Sequence, residues 1–388
     1  MRGVVALTLV GKVADKTRWR TGVLAGRLRR WYRRLALPRV SLAGVDIGTR
    51  EIRVAQVKLA GTVPEVVAIG RFPTPPGVFT NGIRSEQLAV ALKQAVGSAG
   101  TQIEDVVTAI AGDKVIMRHI RLPVMPEKEV EAAIRWEAER HIPVPVEELV
   151  LRHVVLGEVA GEEARQLHVL LVGAPLKTVH DYYNLFQQAG LRLVAVDLQA
   201  FALWRVFAGS YKTPPSGTVA IMNIGATATQ FVVMREGQIE LVRNIMVGGD
   251  AVTEALANTY GVDFTVAQRM KEEEGEILVA LEEVAATTEP AKVQIDFAIR
   301  AGMGDLVREI RRSLSYYQSQ NREAPVDRII LCGGGAKLKG IAAFLTEELG
   351  VPADMGLPGV RVQTGKPGEG YDPSLAVAIG LALREVVG

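Results

Sequence analysis

The most regular stretch of apolar and polar positions is Ala220 to Val233, A-I-M-N-I-G-A-T-A-T-Q-F-V-V: an apolar run, a glycine turn edged by hydroxyls, and a second apolar run. Two short runs joined across a glycine predict a β-hairpin. Ala43 to Val57, A-G-V-D-I-G-T-R-E-I-R-V-A-Q-V, repeats that order, with Asp46 where the later copy has Asn223, 177 residues on. One hairpin in each half of a 388-residue chain predicts two related domains.

The pattern between the hairpins predicts domain I over 41–215. A third strand covers Glu65 to Arg71, and P-T-P-P-G (Pro73 to Gly77) ends it. Ser85 opens a helix reaching about Ala99, with Leu88, Leu92 and Val96 on one stripe. Val106 to Ile110 and Val115 to Leu122 read as strands, and a helix from Pro126–Glu127 to Pro143 carries Val130, Ile134, Ala138 and Ile142 on one face. Trp136 lies off that stripe and is expected to pack on a second face, with a partner contact as the alternative. Strands Leu149 to Leu156 and Gln166 to Val172, parted at Gly161-Glu162-Glu163, complete an inserted subdomain over about 104–173. A helix at Lys177 to Ala189, a strand at Leu191 to Leu198 and a helix at Gln199 to Phe207 follow, before the linker-like Lys212 to Gly217.

Domain II, 216–373, starts with the second hairpin. Gln238 to Met246 is a strand, Asp250 is expected to cap a helix Ala251 to Tyr260, and Thr265 to Glu283 is a charged helical tract. Asp305 to Gln320 is helical. The apolar strand Asp327 to Cys332 then enters G-G-G-A-K-L-K-G, which opens a helix to Leu349. A final apolar helix, 374–388, is expected to pack back on domain I.

Composition narrows the class of protein. With 48% hydrophobic and 23% charged residues the chain is globular rather than disordered, and its longest apolar runs are about half of what a membrane span needs. Cys332 is the only cysteine, so no intrachain disulfide exists, and five histidines show no metal-ligand spacing. A net charge of +2 conceals a division: residues 1–40 hold eleven Lys/Arg against Asp15, while the remainder holds 34 bases and 42 acids. Within that segment Val23 to Leu37 combines Trp31 and leucines with arginines, a pattern suited to a membrane surface, with a nucleic-acid-binding arm, a signal peptide or a plain tail as alternatives.

The candidate chemistry lies in the turns. Each hairpin offers backbone N–H groups around a glycine plus hydroxyls, Thr49 in the first and Thr227 and Thr229 in the second, a setting for phosphate. Asp46 would hold a hydrated Mg²⁺, an ion that needs few protein ligands. The triple glycine would let a flat base lie against the backbone.

In this order and separation, these motifs resemble the actin-like ATPase fold: an α/β architecture of two ribonuclease-H-like domains around a nucleotide cleft. Within it the chain is similar to the type IV pilus assembly protein PilM family, in the FtsA-like branch. V-E-A-A-I-R-W-E-A-E-R-H-I-P-V-P (Val130 to Pro145) is the most specific match; D-I-G, N-I-G-A-T-A-T, V-G-G-D and G-G-G-A-K-L-K-G add to it. The likeness runs from about residue 42 to the C-terminus and gives the inserted subdomain an FtsA-type character.

The resemblance implies ATP or ADP with Mg as cofactors. It puts Asp46, Gly48 and Thr49 at one phosphate loop, and Asn223, Gly225, Ala226, Thr227 and Thr229 at the other. Gln268 and Lys271 would lie near ribose and base, with Gly333, Gly334, Gly335 and Lys337 flooring the base. Three departures stand out: Arg50 replaces a Ser or Thr, Asn223 replaces an Asp, and Gln268 replaces a Glu. Asn223 has no charge to orient a metal-bound water, so an adaptor with slow ATPase activity or none is expected rather than an enzyme. The implied role is cytoplasmic, at the inner face of the inner membrane, in a type IV pilus or type II-secretion-like machine. The implied partner is the cytoplasmic tail of a PilN-like bitopic membrane protein. Membrane contact by residues 1–40 and homo-oligomers are further expectations, and nucleic acid is not an expected partner. A small-molecule kinase lacks an evident general base, and an FtsA-like membrane-tethered filament protein is the other alternative.

Overall fold

The computed structural model describes residues 42–60, 63–79, 83, 85–100, 102–110, 112–142, 144–160, 164–209, 217–278, 289–362 and 370–385. The basic segment 1–40, the turn at 161–163, the linker residues 212–216, and positions 279–283 and 386–388 lie outside the described residues. Two compact units emerge. One takes the chain up to Arg205 with returns at Val360–Lys366 and from Val377, the other Val206–Gly359 with Pro367–Ala376. The division falls about ten residues ahead of the domain boundary at 215 expected from sequence.

In the first unit, β1 (Ala43–Ile47) and β2 (Glu51–Ala60) form the antiparallel hairpin, with Asp46 facing Arg53 in register. β3 (Val63–Pro73) continues the meander. Helix α1 (Glu86–Ser98) starts where the Ser85 side chain accepts from the Leu88 N–H, and it buries Leu88, Leu92 and Val96. It lies so near β3 that a Cβ on Gly70 would sit 2.1 Å from the Ala95 carbonyl oxygen. β4 (Asp105–Ile110) then pairs parallel with β1 on one side and with the later β8 on the other. This corrects the insertion expected from about residue 104: Asp105–Ile110 belongs to the main sheet, consistent with its burial on both faces.

The small subdomain follows. β5 (Ile116–Pro123), α2 (Glu127–His141), β6 (Leu149–Ala160) and β7 (Arg165–Pro175) make a three-stranded antiparallel sheet, order β5-β7-β6. Val130, Ile134, Ala138 and Ile142 of the α2 stretch meet Ile120, Leu122, Val169 and Leu171 in its core. Trp136 does not pack on a second face; it is 57% exposed, with the Arg140 guanidinium 4.7 Å above its ring. Helix α3 (Leu176–Gln188), β8 (Arg192–Leu198), α4 (Gln199–Trp204) and a π-helical turn over Arg205–Gly209 return to the main sheet.

The second unit opens with β9 (Thr218–Ile224), β10 (Thr229–Arg235) and β11 (Gln238–Ile245). α5 (Gly249–Tyr260) and α6 (Phe264–Glu273) follow, the latter capped by Asp263. α7 (Pro290–Gln320) is 31 residues long, twice the length expected from Asp305. Its Gly302 is a packing residue: a Cβ there would lie 2.6 Å from the Cα of Val252 on α5. β12 (Arg328–Cys332) runs parallel to β9, α8 (Ile341–Leu349) follows, and β13 (Ala353–Met355) closes the sheet. Cys332 is fully buried, a small apolar residue as its setting suggested.

The chain then returns to the first unit through β14 (Arg361–Val362), beside β3, and α9 (Ala376–Ala382). α9 crosses β1 where Gly44 has no side chain; a Cβ there would fall 1.9 Å from the Ala378 carbonyl oxygen. Beyond it, Arg384 reaches the buried Asp197 at 2.6 Å, and Arg205 reaches the same carboxylate at 2.9 Å. Strand order is β14-β3-β2-β1-β4-β8 in one unit and β11-β10-β9-β12-β13 in the other; leaving aside the edge strand β14, a meander and then two parallel strands recur in both.

Candidate functional site

In the first unit the turn Gly48-Thr49-Arg50 is tied open. The Gly48 N–H donates to the Glu51 carbonyl at 3.1 Å, while the Gly48 carbonyl accepts the Thr74 hydroxyl at 2.7 Å and the Arg50 carbonyl accepts the Thr74 N–H at 3.0 Å. A Cβ on Gly48 would lie 2.8 Å from the Glu51 oxygen, so the turn needs glycine. Thr49 and Arg50 are exposed at its tip. Asp46 is buried at the end of β1. Burial holds its carboxyl above the ordinary range, opposed by the Arg53 guanidinium and a hydrogen bond from Gln199, with Glu51 pushing the same way as burial. Arg53 lies 3.7 Å from Asp46 and 2.8 Å from Glu51. Reading the sequence missed Arg53, Thr74 and Gln199. Arg53 was findable, since the hairpin register puts it opposite Asp46; Thr74 and Gln199 arrive from distant segments with no local signal.

The second unit builds its turn differently. Gly225 donates to the Ala228 carbonyl at 2.9 Å, but the Gly225 and Ala226 carbonyls are taken by the N–H groups of Gly249 and Asp250, at 2.9 and 2.8 Å. The first-turn donors of α5, which a helix leaves without partners, are thereby satisfied by the loop itself. This corrects the expected Asp250 cap: the N-cap is Gly248, and a Cβ on it would lie 2.5 Å from the Ala226 oxygen. Thr229 is buried and its hydroxyl donates to the Val247 carbonyl at 2.8 Å. Among the described residues no carbonyl accepts from the N–H groups of Ala226, Thr227 or Ala228. Such a run of adjacent donors suits an anion.

Lys271 of α6 donates to the Gly249 carbonyl at 2.9 Å, to the Thr253 hydroxyl at 2.7 Å and to Gln268 Oε1 at 2.8 Å. Gln268 in turn donates to Glu272. So Lys271 and Gln268 are brought to the first turn of α5, behind the loop. The triple glycine follows β12, whose Cys332 stands beside Asn223 in register. Gly333 has φ +87°, and a Cβ there would meet the Ile224 oxygen at 2.4 Å and Asn223 Oδ1 at 2.6 Å. Gly335 is equally tight against the Ile224 side chain, Gly334 is exposed, and Lys337 is engaged at 3.2 Å by Asp372. The second unit thus gathers Asn223, Gly225, Ala226, Thr227, Thr229, Gln268, Lys271, Gly333, Gly334, Gly335 and Lys337 around the ends of β9 and β12. Asp46, Gly48 and Thr49 stand together in the first.

The second unit's groups fit a polyphosphate in kind: a glycine turn whose Ala226, Thr227 and Ala228 N–H groups meet no carbonyl among the described residues, a hydroxyl at Thr227, and a glycine step without side chains. For magnesium the donor set is thin. Among the described residues no three acidic, histidine or cysteine side chains converge, so an ion would rest on Asp46 through its own waters.

The fold is the actin-like α/β fold, two units of shared strand order with a small subdomain inserted in the first. The ethanolamine utilization protein EutJ from Carboxydothermus hydrogenoformans shares it at a TM-score of 0.50, with 17% identity over 90% of this chain and 91% of that one. The chain belongs to the type IV pilus assembly protein PilM family, whose model matches residues 44–386. A chain of the PilM-PilN type IV pilus biogenesis complex is 31% identical, covering 90% of this chain and 99% of that chain, with a TM-score of 0.74. Among the described residues no helix is long and apolar enough to cross a membrane.

Proposed function

We propose that this protein is a nucleotide-dependent scaffold of type IV pilus assembly that holds the cytoplasmic tail of a PilN-like membrane protein at the inner face of the inner membrane. The likeness to a chain of the PilM-PilN complex, 31% identity across nearly the whole of both chains, carries this reading. Titration with a synthetic tail of the PilN-like protein, with and without Mg-ATP, tests it. Saturable binding is expected, and no binding in either condition removes the scaffold role.

Nucleotide enters through the two turns. The Ala226, Thr227 and Ala228 N–H groups would receive phosphate oxygens, and Thr49 and Arg53 would do so from the first unit. Asn223 supports holding over hydrolysis: it can donate to a phosphate oxygen but cannot carry the charge that aligns a metal-bound water. When bound, magnesium would supply charge neutralisation of the phosphates, and Asp46 is the residue placed to orient its waters. Lys271, spent on Gly249, Thr253 and Gln268, would set the stiffness of the α5 N-terminus beneath the phosphate loop. Nucleotide would then bias one domain arrangement over another and so the grip on the partner. Isothermal titration with Mg-ATP is the direct test, and absence of heat at millimolar nucleotide would remove this part alone.

A further inference from the structure

Three carboxamides cross the sheet of the second unit where β9 and β10 meet the Gly225 turn. Thr229 is opposite Ile224, and one pair further from the turn Gln230 is opposite Asn223 on one side and Asn244 of β11 on the other. Residues directly opposite in a sheet share a face. Met222, Ile224, Phe231 and Ile245 share a core cluster with Val252 of α5 and Ile299 of α7, so the alternate residues Asn223, Gln230 and Asn244 lie on the other face. Behind them on that face stand Ile221, Val232 and Val242. On β12 the row reaches Cys332, and a Cβ on the next residue, Gly333, would come within 2.6 Å of Asn223 Oδ1. The order across the sheet is therefore glycine step, Asn223, Gln230, Asn244.

Gln230 is the buried member, 5% exposed, and its hydrogen bonding is incomplete. Its Nε2 donates to Asn244 Oδ1 at 3.5 Å, long for such a bond, and its Oε1 accepts from no group among the described residues. Turning the carboxamide round would set two oxygens face to face at Asn244 and still leave one end unmatched. A buried carbonyl without a donor costs stability, so its presence points to a donor supplied from elsewhere. The row holds no charged side chain, so it acts on a ligand by hydrogen-bond geometry and not by attraction. An ionised phosphate oxygen only accepts and cannot serve Oε1 itself. A water can, giving one hydrogen to Oε1 and the other to a phosphate oxygen, and three amides offer the polar partners that an ordered water needs. A nucleotide whose base lay on the Gly333–Gly335 step would present its other end, the terminal phosphate, on the Gln230 side of Asn223.

We infer that Gln230 is a specificity-determining residue: through a water on Oε1 it reads the terminal phosphate, so that a nucleoside triphosphate is held more tightly than the diphosphate. The inference rests on the nucleotide binding proposed above. Its test is isothermal titration of the full chain with Mg-ATP and with Mg-ADP, for the parent and for Gln230→Met, which keeps the length of the side chain and removes its polar end. The parent is expected to bind ATP at least about tenfold more tightly than ADP, and Gln230→Met to lower that ratio at least about fivefold by weakening ATP alone. Without nucleotide the thermal midpoint of Gln230→Met should be no lower than the parent's, because the unmatched acceptor has gone. Gln230→Asn, which withdraws the amide by one methylene, is the second variant and should lower the ratio likewise. Equal affinity of the parent for both nucleotides, or an ATP-to-ADP ratio unchanged in both variants, overturns the inference and leaves nucleotide binding standing. Absence of heat from either nucleotide with the parent removes the two together.

Discussion

At the scale of single residues, Asp46 and Asn223 occupy matching strand ends yet do opposite electrostatic work. Asp46 is a carboxyl kept above its ordinary range by burial. The folded state therefore holds its proton more tightly than the unfolded state does, and stability contributed at low pH declines as pH rises from the unfolded toward the folded value. Asp46→Asn removes that decline: the variant should be more stable than the parent at pH 7 to 8 and equal to it in acid, read as thermal midpoint against pH. The same variant should lose any Mg-dependent component of ATP binding. Asn223→Asp is expected to raise phosphate release with Mg-ATP at least about tenfold, a change of about 1.4 kcal/mol in barrier; unchanged affinity and turnover would contradict the role given to Asn223.

At the scale of elements, close approach depends on missing side chains and buried charge. Gly302→Ala should cost about 1–3 kcal/mol by forcing α7 from α5, measured by denaturant unfolding. Asp197→Asn would strand Arg205 and Arg384 in the interior and should cost about 3–5 kcal/mol. These positions also explain what the sequence concealed. Both hairpins were readable because alternation and a central glycine are local signals. The first half of α7 was not, since Pro290, Gly302 and Gly304 look like punctuation until α5 is seen lying on Gly302. Asp250 drew attention as a cap, yet the helix begins at Gly249 with Gly248 as its N-cap, so Asp250 lies inside the first turn with its own N–H held by the Ala226 carbonyl. Asp105–Ile110 looked like the start of the inserted piece because no local feature tells a central parallel strand from the first strand of a small sheet. Among the candidate site residues the glycines and Thr229 owe their places to near neighbours, whereas Thr74 and Gln199 reach theirs only through tertiary structure.

At the scale of the molecule, the family assignment and the shared strand order of the two units account for the paired hairpins noticed first. Each unit carries a glycine turn at the same topological position, beside the strand that follows the meander in parallel. The chain also passes from one unit to the other four times, at residues 205–206, 359–360, 366–367 and 376–377. That number of covalent crossings has a bearing on biosynthesis. The first unit lacks the helix that lies on Gly44 and the Arg384 partner of Asp197 until residues 376–384 have been made. The second unit's central strands are complete much earlier. Chains released after Ala376 should therefore show protease-sensitive β1–β4 beside a resistant β9–β13 core, and a nascent chain would acquire its folded parts in the reverse of the order in which they are encoded.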